Sequence, residues 1–304
     1  MTIQTPELVA GGEHAVHFYE HDAELAKTVG ALLARALVGG SIVIVIATEP
    51  RLSAIEAELA AAGIDLAQAA ETGTLLGLDA ATTLARLLRE GRIDAQYFED
   101  VIGSLIREAA QTGKPICAYG EMVGVLWDAG DVLGAIELEK RWNDLGGEVG
   151  FSLHCGYHSD CLSAPEHKEA LAEVCRLHGA VMHKHEVAGQ FPAQAHSPLA
   201  TRRLVTDALR RWGHDDKRLA DAQLIVTELA TNAIVHARTA FSVHARDHGS
   251  GVRISVSDSS HAEPSVGDPA QDDLSGRGLW LVSRLASRWG VELTEDGKTV
   301  WAEL

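Results

Sequence analysis

The sequence predicts two domains of different class, an α/β parallel-sheet domain followed by an α+β two-layer sandwich. Three observations carry this expectation. A chain of 304 residues amounts to about two domains at roughly 150 residues each. Its first half alternates strand and helix signals around Ser41–Ala47, a run apolar on both faces, as a central strand of a parallel sheet must be when helices cover both sides. Its second half joins two helices to glycine-turned hairpins. A hydrophobic content of 46% against 23% charged residues is enough for two cores.

In order, a helix is predicted after Asp22, with Leu25, Val29, Leu32, Leu33 and Leu37 at helical spacing and Gly39-Gly40 to stop it. The apolar strand follows, then a helix over Leu52–Ala62 ended by Gly63, a strand over Thr74–Leu78, and helices over Ala81–Glu90 and Asp94–Thr112. Strand Ile116–Tyr119, a helix over Val132–Leu145 and strand Val149–His154 complete the alternation, which implies right-handed crossovers. A helix over Glu166–Glu186 carries Leu171, Val174, Cys175, His178, Val181, Met182 and His185 on one stripe, suited to a core or a homodimer seam. Residues 187–198 hold two prolines and small polar residues, the chemistry of a linker. The expected domains are therefore 1–186, a linker at 187–198, and 199–304.

The last segment opens with helices over Leu199–Trp212 and Asp216–Ala237. Strands Ala240–Arg246 and Val252–Asp258 turn through His248-Gly-Ser-Gly251, whose glycines permit positive φ. A polar loop over 259–275 precedes a helix over Gly278–Trp289 and a hairpin of Val291–Thr294 with Thr299–Leu304.

Lys and Arg number 26 against 43 Asp and Glu, a formal charge of −17. Such a field repels phosphate backbones and argues against nucleic acid and anionic membranes as direct partners. The most apolar run, Ile42–Ala47, is too short to span a bilayer, and the first fifteen residues lack the pattern of a secretory signal. The expected location is cytoplasmic, with the four cysteines reduced.

Chemistry concentrates in the second domain. Glu228, Asn232 and His236 lie at i, i+4 and i+8 of one helix and share a face, with Leu229, Ile234 and Val235 left for the sheet. A carboxylate beside an amide oxygen suits a hard cation such as Mg²⁺. Strand Ile254–Asp258 ends on a carboxylate able to accept from an exocyclic amine. Ser275-Gly276-Arg277-Gly278 then opens an apolar helix, where bare N–H groups and the positive helix end can hold phosphate oxygens. Gly297-Lys298-Thr299 completes the series.

Glu-x-x-x-Asn, Asp at a strand end, Gly-x-Gly at a helix start and Gly-Lys-Thr, in that order, resemble the Bergerat ATP-binding fold of histidine kinases, gyrase-type ATPases and anti-sigma-factor serine kinases. The resemblance covers about 198–304, and the compact ending is similar to the anti-sigma-factor serine kinase branch. It implies that Asn232 binds Mg²⁺, Asp258 binds adenine, Gly276 and Gly278 line the phosphates, Thr299 supports the adenine contact, and Glu228 polarises the attacking hydroxyl. The chain departs from that family in reading Asp258-Ser259-Ser260 where glycine usually stands two residues after the aspartate.

In the first domain His14-Ala-Val-His17-Phe-Tyr19-Glu20, the strand ending at Thr48, and Phe151-Ser-Leu-His-Cys155-Gly-Tyr157 resemble the MEDS sensory domain over about 13–178. That domain is similar to RecA/KaiC-type ATPases, yet no Gly-x-x-x-x-Gly-Lys-Ser/Thr loop is present, so sensing without hydrolysis is expected. His154 and Cys155, adjacent on a strand, face opposite ways, which opposes one shared metal site; His14 and His17 are split likewise. His17, Tyr19, Cys155, His158 and Cys161 are the candidate residues for a small-molecule, redox, metal or haem signal.

The expected function is a sensor controlling an ATP- and Mg²⁺-dependent serine/threonine kinase that phosphorylates an antagonist protein and binds a sigma factor. Three other readings stay open: a nonenzymatic ligand-responsive binding module with a degenerate ATP site, a metal, haem or redox sensor, and an atypical histidine kinase using His183 or His185.

Overall fold

A computed structural model describes residues 14–163, 165–249, 251–262, 264 and 277–304. They form two compact units that divide between His178 and Gly179. Among the described residues no helix is long and apolar enough to cross a membrane.

The first unit begins with β1 (His14–Tyr19), α1 (Asp22–Val38), β2 (Ile42–Ala47), α2 (Glu49–Ala61), α3 (Leu66–Glu71), β3 (Leu75–Asp79) and α4 (Ala80–Leu87). A small hairpin of β4 (Leu88–Arg89) and β5 (Arg92–Ile93) leads to α5 (Ala95–Phe98), a π-turn at Glu99–Gly103 and α6 (Ser104–Ala110). Then come β6 (Ile116–Gly120), α7 (Met122–Asp128), α8 (Val132–Val149), β7 (Ser152–His158) and α9 (Lys168–Leu177). Strands β1, β7, β6, β2 and β3 lie side by side in that order, all parallel. All six residues of β2 are buried, as its uninterrupted apolar run requires. Val29 and Leu33 of α1, Ile55 and Leu59 of α2, and Val43 and Val45 of β2 share one core.

Several boundaries moved, and the helix expected over Ala81–Glu90 ends at Leu87. Asp22 is the first helical residue and does not cap α1, whose N-cap is His21. Helix α8 continues to Val149 and stops at Gly150, where φ is +70°, so β7 starts later than the periodicity suggested.

The second unit contains β8 (Ala180–His183), β9 (Glu186–Phe191), α10 (Ser197–Arg211), α11 (Asp216–Asn232), a π-turn at Ala233–Ala237, β10 (Phe241–Asp247), β11 (Val252–Asp258), α12 (Arg277–Leu285), β12 (Arg288–Thr294) and β13 (Gly297–Glu303). Its strands run β8-β9-β10-β11-β13-β12, antiparallel throughout. Val205 and Leu209 of α10, Ile225 and Val226 of α11, and Val243, Ile254 and Ala302 of the sheet are buried. This is the α+β sandwich that the helix and hairpin pattern predicts.

The expected helix over Glu166–Glu186 and linker over 187–198 are corrected here. The helix ends at Leu177, and His178 is already extended. Ala180–Met182 is a buried strand, Lys184-His185 is a two-residue turn, and Val187 and Ala188 of β9 are buried. An apolar run as short as Ala180–Met182 fits the spacing of both a helix and a strand. Pairing of β9 with β8 on one side and β10 on the other satisfies its backbone and decides for the strand. His183 ends β8 and His185 sits in the turn, so neither lies on the helix from which the histidine kinase reading took them.

Candidate functional site

In the second unit, α11 starts at an Asp215 cap that accepts the Arg218 N–H at 2.8 Å. Leu229 and Ala230 face the core, which leaves Glu228 and Asn232 half-buried on the adjacent stripe. The stripe stops there. The π-turn at Ala233–Ala237 inserts a residue into the helical repeat, so His236 is exposed, and Val235, expected against the sheet, is 54% exposed.

Gly278, in the first turn of α12, closes on that stripe. A Cβ there would lie 2.6 Å from Glu228 Oε2 and 3.7 Å from Asn232 Nδ2, so any larger residue would have to displace the Glu228 carboxylate. The structure thus brings Glu228, Asn232 and Gly278 together. Gly276 lies outside the described residues.

The adenine side differs from the expectation. Asp258 Oδ1 accepts from Lys298 Nζ at 2.8 Å and from the Ser260 N–H at 2.8 Å. Lys298 Nζ also donates to the Ser260 carbonyl at 3.3 Å. Directly opposed residues of an antiparallel pair share a face, and Asp258 opposes Lys298 while Ser257 opposes Thr299. Thr299 is consequently on the other face, with its hydroxyl 2.7 Å from Ser257 Oγ. Lys298, to which the sequence reading gave no role, is the residue of this strand that pairs with Asp258.

The five sensor candidates do not form one site. His17, Tyr19, His154 and His158 share one face of the β1–β7 pair, and Cys155 faces the other way. His17 Nε2 is 3.0 Å from His154 Nδ1. Tyr19 packs edge-on against His158, with the Arg51 guanidinium 4.8 Å from its ring centre. Cys161 is buried apart in a short turn after β7. Burial and the Asp128 charge push its thiol up to about 12, the opposite of an activated cysteine.

Where a phosphate loop would follow β2, a carboxylate fills the space. Glu121, fully buried, accepts the Thr48 N–H ahead of α2 and pairs with Arg51 Nη1 at 2.6 Å. An internal anion thus already satisfies the first N–H at this helix start.

On the Cys155 face, His14, Glu139, Cys155 and His178 converge with every side chain buried. His14 Nε2 lies 3.3 Å from Glu139 Oε2 and 3.3 Å from Cys155 Sγ. Cys155 Sγ is 3.3 Å from Glu139 Oε2, and His178 Nε2 is 3.5 Å from Glu139 Oε1. Tyr157 donates to Glu139 Oε1 at 2.9 Å. Burial opposes ionisation of Glu139, but the imidazoles of His178 and His14 override it and hold the carboxyl below its ordinary range. Burial and the Glu139 charge raise the Cys155 thiol well above its ordinary value. The sequence held one signal for this cluster: Glu139 stands on the apolar stripe of α8 with Ala135, Leu138 and Trp142.

The parallel α/β unit without a phosphate loop is joined to an antiparallel sandwich with a helix-borne Glu-x-x-x-Asn, the architecture of a nucleotide-binding-type domain. The family comparisons place it further. Residues 13–179 match the model of MEDS, the methanogen/methylotroph DcmR sensory domain, and the chain belongs to that family. Residues 191–304 match the histidine kinase-like ATPase domain, a class that implies ATP binding. Among solved structures, the RsbU and RsbW domains of Rv1364c from Mycobacterium tuberculosis match at 20% identity over 38% of this chain and 31% of that one, with a TM-score of 0.30. The chain thus spans about a third of that protein's solved length. No curated protein matches in sequence.

Proposed function

We propose that the chain is a signal-responsive regulator in which the MEDS unit controls an ATP- and Mg²⁺-dependent serine/threonine kinase acting on an antagonist protein, with a sigma factor as the alternative partner. The observation that carries the nucleotide part is the meeting of Gly278 with Glu228 and Asn232. In this reading the Asn232 amide oxygen holds the cation that accompanies the triphosphate. The N–H groups at Gly276 and Gly278 receive phosphate oxygens at the start of α12. Glu228 takes the proton of the attacking hydroxyl. The choice of a protein hydroxyl as acceptor rests on the likeness to anti-sigma-factor kinases.

One observation favours a second reading, a nonenzymatic binding module. Asp258, the adenine anchor, is already paired with Lys298, so a base must displace an ammonium to reach it. The experiment that separates the two mixes the full chain with Mg-ATP and follows binding and ADP formation, with water as the phosphoryl acceptor in place of the protein hydroxyl, in wild type and Glu228→Gln. The kinase reading expects binding in both and a rate lower by roughly 10²–10⁴-fold in the variant. Binding with equal rates removes Glu228 from the chemistry, and no binding in wild type removes the kinase.

A further inference from the structure

We infer that His14, Glu139, Cys155 and His178 form a transition-metal site of the Zn²⁺ type inside the MEDS unit. The positions of the ring protons decide what the cluster offers. His178 Nδ1 lies 2.7 Å from the Val174 carbonyl, so it must donate. The Asn143 amide nitrogen donates to the Leu177 carbonyl at 2.8 Å, which turns its oxygen toward His14 Nδ1, also 2.8 Å away. That nitrogen therefore donates too. In their neutral forms both imidazoles aim Nε2 lone pairs at the Glu139 carboxylate, itself an acceptor.

Acceptors converging at 3.3–3.5 Å repel one another unless a proton or a metal cation lies between them. His178 Nε2 is buried with no hydrogen-bond partner among the described residues, although buried polar atoms are rarely left so. The spacing suits a metal. Zn–N and Zn–O bonds of about 2.0–2.1 Å and Zn–S bonds of about 2.3 Å put tetrahedral ligand atoms roughly 3.3–3.7 Å apart; His14 Nε2, Cys155 Sγ and Glu139 Oε2 are each 3.3 Å from one another, and with His178 the four ligand atoms lie within 4.8 Å.

The surroundings supply the second requirement. Each ligating imidazole is oriented through its other nitrogen by a carbonyl or amide oxygen, the arrangement metal-bound histidines almost always show. Thiolate and imidazole donors select Zn²⁺ over Mg²⁺ or Ca²⁺. Thiolate and carboxylate together balance a dication, so the loaded site is neutral in a buried setting. Loading breaks the Cys155 S–H bond, forms a metal–sulfur bond and releases the proton to solvent. The ligands tie β1, α8 and β7 to His178, the last residue of the unit.

Cobalt reports the site directly. The full chain is unfolded in denaturant with chelator, then refolded anaerobically with Co²⁺, which gives metal access to a closed site. The expected result is one cobalt per chain with a near-ultraviolet thiolate-to-cobalt band and the intense visible bands of four-coordination. Cys155→Ser loses the thiolate band, and His154→Ala, on the opposite face, keeps it. Asn143→Ala, which leaves all four ligands in place, weakens affinity by about 10–100-fold. Refolded wild type without the band, or an equal band in Cys155→Ser, overturns the proposal and leaves a buried proton-shared cluster.

Discussion

Lys298 and Asp258 are 6% and 5% exposed as a pair, so neither is screened by water, and removing one strands the other's charge. Lys298→Met is expected to lower unfolding stability by about 3–5 kcal/mol, measured by urea denaturation. It also frees the Asp258 carboxylate, so Mg-ATP should raise the melting temperature of the variant more than that of wild type. Equal shifts would show that the base does not use Asp258. The thiols give a second residue-scale prediction. Burial pushes Cys161 up to about 12 and Cys175 up to about 11, so at pH 8 both stay protonated in the folded chain. Native protein should alkylate at least about tenfold more slowly at these positions than unfolded protein, read by peptide mass spectrometry. At this scale the sequence was legible in residue type and less so in direction. Asp258, Glu228 and Asn232 stood out by chemistry, but Thr299 and Lys298 are neighbours on one strand, and only the register says which shares a face with Asp258.

Helix and strand existence followed from periodicity wherever an element was long. Helices α1, α8, α10 and α11 and the strands β2 and β11 fall near their expected places because each buries a repeating apolar face. Short elements were hidden. Helix α7 has seven residues, five of them buried, so it shows no polar face to mark a period. A Cβ at its Gly124 would stand 2.6 Å from the Gly156 carbonyl oxygen of β7, and backbone cannot swing aside as a side chain does. Gly124→Ala is therefore expected to cost about 1–3 kcal/mol, seen as a lower urea midpoint; no change would mean that helix and strand are not in contact. Strand β9 was masked by its small polar neighbours and by the prolines at 192 and 198. Val187 there is fully buried. Val187→Asp should destabilise by about 3 kcal/mol or more, whereas a residue in a true linker would tolerate the change.

The whole molecule joins a family-defined sensory unit to an ATPase-type unit, and the order of motifs made that organisation readable from residues alone. What stayed illegible was set by distance along the chain. His14 and His178 come together only when β1, α8, β7 and the end of α9 have folded, so no local spacing announces the cluster. The same holds for Glu121, which reaches Thr48 and closes the place where a phosphate loop would stand. The account therefore assigns nucleotide to the second unit alone. Calorimetry of Mg-ATP against the full chain, in wild type and in Asn232→Ala, tests this most directly. The account predicts one binding event in wild type that Asn232→Ala abolishes or weakens by at least about tenfold, a loss of about 1.4 kcal/mol. No heat of binding in wild type, or an isotherm unchanged by the substitution, would contradict it.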